Sequence, residues 1–333
     1  MAITLAVDAM GGDFGPRVTV PASLVIVREN PHLVIILVGQ EALIQPYLKD
    51  LNPQLASRIS IVHTNEVVTM DDKVAVALRN KRNSSMRLAI NLVHEKKAQA
   101  CVSAGNTGAL MAISRFVLKT HTSIDRPAIM TALPTQKGHC HMLDLGANVD
   151  SEAHHLVQFA HMGSVVAQAL EGIERPTVAL LNIGEEEIKG NDLIKQAHQL
   201  LKESSLNYIG YIEGDGVFKG EADVVVCDGF VGNIALKTTE GVAKMMASFI
   251  KEEIQRNWLT KITGVIAYPI WKGLKKRMDP GSYNGASLVG LTGIVVKSHG
   301  SADIASFAQA LRVAMKETEQ DVPSLIAAKM TIQ

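Results

Sequence analysis

The 333-residue chain is 47% hydrophobic and 20% charged, enough apolar content for a large core and enough length for two lobes or one large α/β unit. Lysine plus arginine and aspartate plus glutamate both number 33, so the formal net charge is zero and no global field favours nucleic acid. Aromatics, at 4%, argue against the stacking platforms of single-strand binders, and Cys101, Cys140 and Cys227 lack any CxxC spacing, as expected of buried thiols in a reducing compartment.

The N-terminus has no basic region and meets Asp8 early, so residues 3–8 predict a first strand and not a signal peptide. The longest uncharged runs, 98–114 and 280–296, are rich in Gly, Ser, Asn and Thr, and neither predicts a spanning helix. Asp8 to Pro16 is a glycine-rich turn into a helix over about 18–29. Its G-G-x-x-G spacing is not the dinucleotide fingerprint, and the second strand, Leu33–Val38, ends in Gly39-Gln40 without an acid for a ribose. Asp8, Gly11 and Gly12 therefore fit a phosphate-accepting turn, with a purely structural turn as the alternative. A third strand is expected near Ile59–His63. Residues 71–97 are helical by period, with a break at 80–83. There Arg79, Lys81, Arg82 and Arg87 surround Ser84-Ser85, as a solvated face or as a contact for phosphate or an acidic protein.

The strand 98–102 leads into Ser103-Ala104-Gly105-Asn106-Thr107-Gly108-Ala109. Small residues there let backbone amides approach an anion, and Ser103, Asn106 and Thr107 add donors. The helix after it, 110–119, is expected to be apolar and buried. A strand follows at 127–133. His139 and His141 alternate and share one side of a strand, but no third metal ligand is in view; an edge-strand pair is expected, and no metal. Asp144, Asn148 and Asp150 follow another strand, placed to bind a ligand or to cap the helix running to about Leu170.

Two stretches stand out. Thr177–Leu181 opens into Asn182-Ile183-Gly184-Glu185-Glu186-Glu187-Ile188-Lys189-Gly190, with the glutamates expected in a first helical turn. The run 222–226 opens into Cys227-Asp228-Gly229-Phe230-Val231-Gly232-Asn233, with a long helix from about 234. Ligands of open α/β sheets bind at the carboxyl ends of strands, so Lys189 and Asn233 are suited to hold an anion there. Between them lie a helix over 191–203 and a strand over 207–212. The recurring strand, glycine turn and helix predict an α/β fold with a mostly parallel sheet and helices on both faces.

Residues 251–277 differ. Trp258, Ile262, Ile266 and Ile270 fall at helical spacing with Ile254, Val265 and Leu274. Trp271 lies beside them, Pro269 should break the helix, and Lys272, Lys275, Lys276 and Arg277 crowd the end. An interfacial membrane element is expected, with a dimer interface or core helix as the alternative. In the C-terminal part, Tyr283–Ser287 precedes a strand at 293–296. His299 stands at its end as an acid/base or a cap, and helices over about 301–317 and 321–329 close the chain.

Seven stretches together resemble the PlsX family of acyl-(acyl-carrier-protein):phosphate acyltransferases: 8–16, 84–92, 103–109, 144–150, 182–190, 227–237 and 283–300. The resemblance implies transfer of a long-chain acyl group from acyl carrier protein to inorganic phosphate, giving acyl phosphate for bacterial phospholipid synthesis. It implies a homodimer without a cofactor, cytoplasmic and peripherally attached to the membrane, supplying a membrane glycerol-3-phosphate acyltransferase. It also implies a three-layer α/β/α fold akin to phosphate acetyltransferases and the isopropylmalate dehydrogenase group. Lys189 and Asn233 become the catalytic positions. From the residues themselves, Asp8, Gly11, Gly12, Ser103, Gly105, Asn106, Thr107, Asp144, Asn148, Asp228, Gly229 and His299 are the substrate-binding candidates. The expected division is a first lobe of 1–135 with 292–333, and a second of 136–291 that carries the membrane element. A nucleotide-binding dehydrogenase and a non-catalytic membrane scaffold are the other readings.

Overall fold

In the computed structural model, which describes residues 2–278 and 280–331 but not the side chains of 274–278, 280 and 282, one 11-stranded sheet organises the chain. Its strands are β1 (Ile3–Asp8), β2 (Leu33–Gly39), β3 (Ile59–His63), β4 (Ala100–Ser103), β5 (Ala128–Thr135), β6 (Gly138–Leu143), β7 (Thr177–Leu181), β8 (Asn207–Ile212), β9 (Val224–Val226), β10 (Ala286–Val289) and β11 (Ile294–Lys297). The order across the sheet is β3-β2-β1-β4-β11-β10-β5-β6-β9-β7-β8. The group β3-β2-β1-β4-β11 is parallel throughout, as is β6-β9-β7-β8. Antiparallel pairings through β10 and β5 join the groups, so the two run in opposite senses.

The helices are α1 (Pro16–Glu29), α2 (Glu41–Ile44), α3 (Pro53–Ala56), α4 (Val74–Asn80), α5 (Ser85–His94), α6 (Thr107–Leu118), α7 (Ala153–Glu171), α8 (Asp192–Lys202), α9 (Gly214–Lys219), α10 (Gly229–Gln255), α11 (Trp258–Ile266), α12 (Tyr268–Met278), α13 (Ile304–Glu319) and α14 (Val322–Thr331). Continuous apolar strands such as Leu33–Val38 are covered on both faces, the usual reason for an unalternating run. On one face α5 and α6 close a core that includes Ile90, Leu110 and Ile113. On the other, α1 and α13 pack around Phe307, while α7, α8 and α14 pack around Phe159. These are the expected three layers.

Local chemistry sets the helix starts. Asn106 caps α6 by accepting from the Ala109 amide at 3.0 Å, and Asp228 caps α10 by accepting from Phe230 and Val231, each at 3.0 Å. α10 begins at Gly229, five residues before the expected start, because that cap precedes the apolar periodicity. The sequence pattern does not mark β10: Ala286–Val289 is short and follows a glycine, and pairing on both sides makes it a strand. Cutting the chain at 135/136 and 291/292 would set β10 of one part between β11 and β5 of the other.

Candidate active site

Two polar clusters form where the opposed strand groups end. The first gathers the ends of β1, β4 and β11. Ser103 donates from Oγ to Oδ2 of Asp8 at 2.7 Å, and the Gly105 amide donates to Ser103 Oγ at 3.1 Å. Burial pushes the Asp8 carboxyl above its ordinary value, against the pull of its hydrogen-bond donors. Gly11 is obligatory here: a Cβ on it would sit 2.8 Å from both Asp8 Oδ2 and the Gly105 nitrogen. Lys297, 8% exposed, ends β11 in the same cluster and donates to the carbonyls of Ala104 and Ser298. Burial lowers its ammonium to about 8.

The second cluster gathers the ends of β6 and β9. Asp144 accepts from the amides of Ile129, Gly146, Ala147 and Asn148 and from the Asn148 side chain. These donors use the capacity of one carboxylate, so Asp144 shapes the turn rather than reaching outward. Asn148 also donates to the Pro127 carbonyl at 2.8 Å, and the Gly229 amide donates to the Asn148 carbonyl at 2.9 Å. The turn delivers Gly146 against Asn233, which stands exposed on the first turns of α10.

α10 links the clusters. From its cap, Asp228, to Glu240 it rises about 18 Å. There Glu240 lies 3.5 Å from Nε2 of His299, beyond the end of β11, and 2.9 Å from Lys237 Nζ. His299 first, then Lys237, holds the Glu240 carboxyl down at about 2. Between α6 and the second cluster runs a groove of about 850 Å³. Leu78, Met111, Ala112, Ile129, Leu145 and Ala147 supply apolar walls. Thr107, Gly108, Thr120 and Asn233 supply polar ones, and Arg115 and Lys119 supply charge. The positive end of the α6 dipole thus opens into the groove.

Comparisons with known proteins place the chain in a family. The model of the family described as "Fatty acid synthesis protein" matches residues 3–325. A "Phosphate acyltransferase" of Alcanivorax borkumensis is 61% identical over 98% of this chain and 96% of its own. Another, of Nitrosococcus oceani, is 56% identical over 99% and 97%. The chain belongs to the phosphate acyltransferase family. The sequence resemblance to PlsX enzymes is thereby borne out, and with it the expectation of a phosphate acyltransferase. Solved structures share the fold at low identity. A phosphotransacetylase from Streptococcus pyogenes superposes with TM-score 0.64 at 15% identity, covering 95% of this chain and 94% of that one. EutD phosphotransacetylase from Staphylococcus aureus gives 0.59 at 16%, with the same coverage.

The remaining positions fall unevenly in this phosphate acyltransferase. Asn106 spends its side chain on the α6 cap and on the carbonyls of Met70 and Asp72. Gly12 is held at φ +85° against Ala104 and Gly300. Lys189 is exposed in an irregular loop after β7, beside the strand that leads to Asp228, with its aliphatic stem against Gly184. The glutamates 185–187 are not in a first helical turn as expected. α8 starts only at Asp192, capped by Asn191, because that cap satisfies the first free amides.

Some expectations are met and others need correction. α6 is not wholly buried: it turns Arg115 and Phe116 outward, and the Arg87 guanidinium and the ammonium of Lys119, just past the helix, each lie over the Phe116 ring, 4.9 Å from its centroid. The spacing of Arg115 and Lys119, four apart on one helical face, was the available signal. Residues 251–277 form the end of α10, then α11 and α12, with the break at Ala267 just before Pro269. Trp258, Ile262, Ile266 and Ile270 are exposed, whereas Trp271 is partly buried, with no hydrogen-bond partner for Nε1 among the described residues. The side chains of Leu274, Lys275, Lys276 and Arg277 lie outside the described residues. No helix among the described residues is long and apolar enough to cross a membrane. β6 is not an edge strand, since it pairs with both β5 and β9, and the third group facing His139 and His141 is Glu171, thirty residues further on.

Proposed function

We propose that this chain transfers a long-chain acyl group from the thioester of acyl carrier protein to inorganic phosphate. The observation that carries this is the groove, which joins an apolar channel to a helix N-terminus and to Asn233. An acyl chain needs the first, and a phosphate dianion with a developing oxyanion needs the second. An oxygen of the monohydrogen phosphate dianion attacks the thioester carbonyl directly, the C–S bond breaks, and the carrier leaves as the thiol, its sulfur taking the proton that the phosphate gives up. Asn233 donates to the oxyanion without changing protonation. Lys189, brought over from its loop, neutralises phosphate. Asp8, Gly11, Gly12, Ser103, Gly105, Thr107 and His299 hold phosphate or the carrier's prosthetic arm, while Asp144, Asn148, Asp228 and Gly229 fix the turn that presents Asn233.

The basic side chains around Phe116 suit an acidic carrier protein. Along α10 the exposed Val242, Met245, Met246 and Phe249 form a helical apolar stripe, which supports a homodimer. The exposed residues of α11 and α12 support contact with an anionic membrane surface on the cytoplasmic side. Delivery there would suit a product whose acyl chain avoids water, consumed by a membrane glycerol-3-phosphate acyltransferase in phospholipid synthesis. We retain the two-lobe division as part of this proposal.

Single-turnover acyl transfer by Lys189→Ala and Asn233→Ala tests the assignment. Each should lose about 10²-fold or more in rate, the usual scale for an oxyanion donor. Unchanged rates in folded variants would contradict it.

A further inference from the structure

On the sheet face opposite the groove, His139 and His141 of β6 meet Glu171, the last residue of α7. Alternation fixes the face: Cys140 and Met142 enter the core under α5 and α6, whereas Leu143, in step with both histidines, enters the core under α7. Nε2 of His139 lies 3.4 Å from Oε1 of Glu171, and Nε2 of His141 lies 3.8 Å from the same oxygen. His141 is 7% exposed, and its Nε2 makes no hydrogen bond among the described residues. The three ligand atoms all fall within 4.8 Å of one another. Ligands on tetrahedral zinc, with bonds of about 2.0–2.1 Å, stand about 3.3–3.4 Å apart. Small rotations of two imidazoles and a carboxylate close that gap.

We propose that His139, His141 and Glu171 form a binding site for one divalent transition-metal ion, with zinc the fitting ion. Two imidazoles and a carboxylate suit zinc or cobalt, whereas magnesium and calcium demand oxygen ligands. Water completes the tetrahedron from the solvent side, where His139 is half-exposed. Lys316 of α13 competes, with its Nζ 3.4 Å from Oε1, but its side chain is 49% exposed and free to swing out. The ion would pin the end of α7 to β6, away from the groove. Its role is structural or regulatory rather than chemical.

The test uses the untagged full-length chain, freed of metal by chelator and titrated with Co²⁺, then displaced with Zn²⁺. One Co²⁺ per chain should bind, with the intense visible absorption of a four-coordinate ion. His139→Ala and Glu171→Gln should each weaken binding at least tenfold, and zinc should raise the melting temperature of the wild type but not of Glu171→Gln. His154→Ala, which alters the separate group of Asp125, His154 and His155, should leave binding unchanged. No saturable uptake by the wild type would overturn the site. So would undiminished affinity in Glu171→Gln, or loss of binding in His154→Ala.

Discussion

Gly146 and Asn233 are placed face to face: a Cβ built on Gly146 would lie 3.3 Å from the Cβ of Asn233. Gly146 is also held at φ +119°, a conformation L side chains rarely adopt. Gly146→Ala should therefore cost about 1–3 kcal/mol of stability and shift the Asn233 amide. We expect a fall in kcat of tenfold or more with a smaller change in KM. Chemical denaturation and steady-state kinetics on the same preparation check both parts.

Asp144 is the hub that shapes the same turn. Asp144→Asn replaces an oxygen with an NH₂ that faces amide donors. Leaving such buried donors unmatched costs about 1–3 kcal/mol or more. A lower urea midpoint, whose shift multiplied by an unchanged slope gives a free-energy loss of that size, is the expected result.

Glu240 links stability to pH. Its carboxyl titrates at about 2 in the fold, below the ordinary 4.5, so between those values the folded chain binds fewer protons than the unfolded one. Its contribution is complete above about pH 4.5 and is lost as pH falls through about 2. Glu240→Gln should thus be less stable than wild type by about 1 kcal/mol near neutrality, allowing for solvent screening, and the difference should vanish at the acid end. Melting curves across that window provide the check.

The exposed apolar residues of α11 test membrane contact. Ile262→Ser with Ile266→Ser should remove about 2–4 kcal/mol of apolar burial into a bilayer. Flotation with anionic vesicles should show a marked loss of bound protein, while turnover on a soluble acyl carrier persists.

Much of this is legible in the amino-acid sequence. The strands at 3–8, 59–63, 177–181 and 207–212 fall where apolar runs and flanking turns put them. The break between α4 and α5 follows Lys81–Asn83 with Ser84 as the cap. Long-range pairing was not legible. Nothing local says that β10 enters between β11 and β5, or that the two parallel groups oppose each other. The same limit applies to the site. Strand-end polar residues announced both clusters, but not that Asp144 and Asn106 spend their side chains on backbone amides. Nor does spacing reveal that Arg115 and Lys119 line a groove or that Glu171 returns to His139 and His141, because each depends on how distant elements pack.

An acyl-phosphate product is captured by hydroxylamine as the acyl hydroxamate. The protein is incubated with a long-chain acyl carrier protein and phosphate, then treated with hydroxylamine, alongside a control for direct reaction of the thioester. Acyl hydroxamate should form in a manner that depends on both phosphate and protein, and should fall sharply in Asn233→Ala. Folded protein that yields no phosphate-dependent hydroxamate across several chain lengths would contradict it.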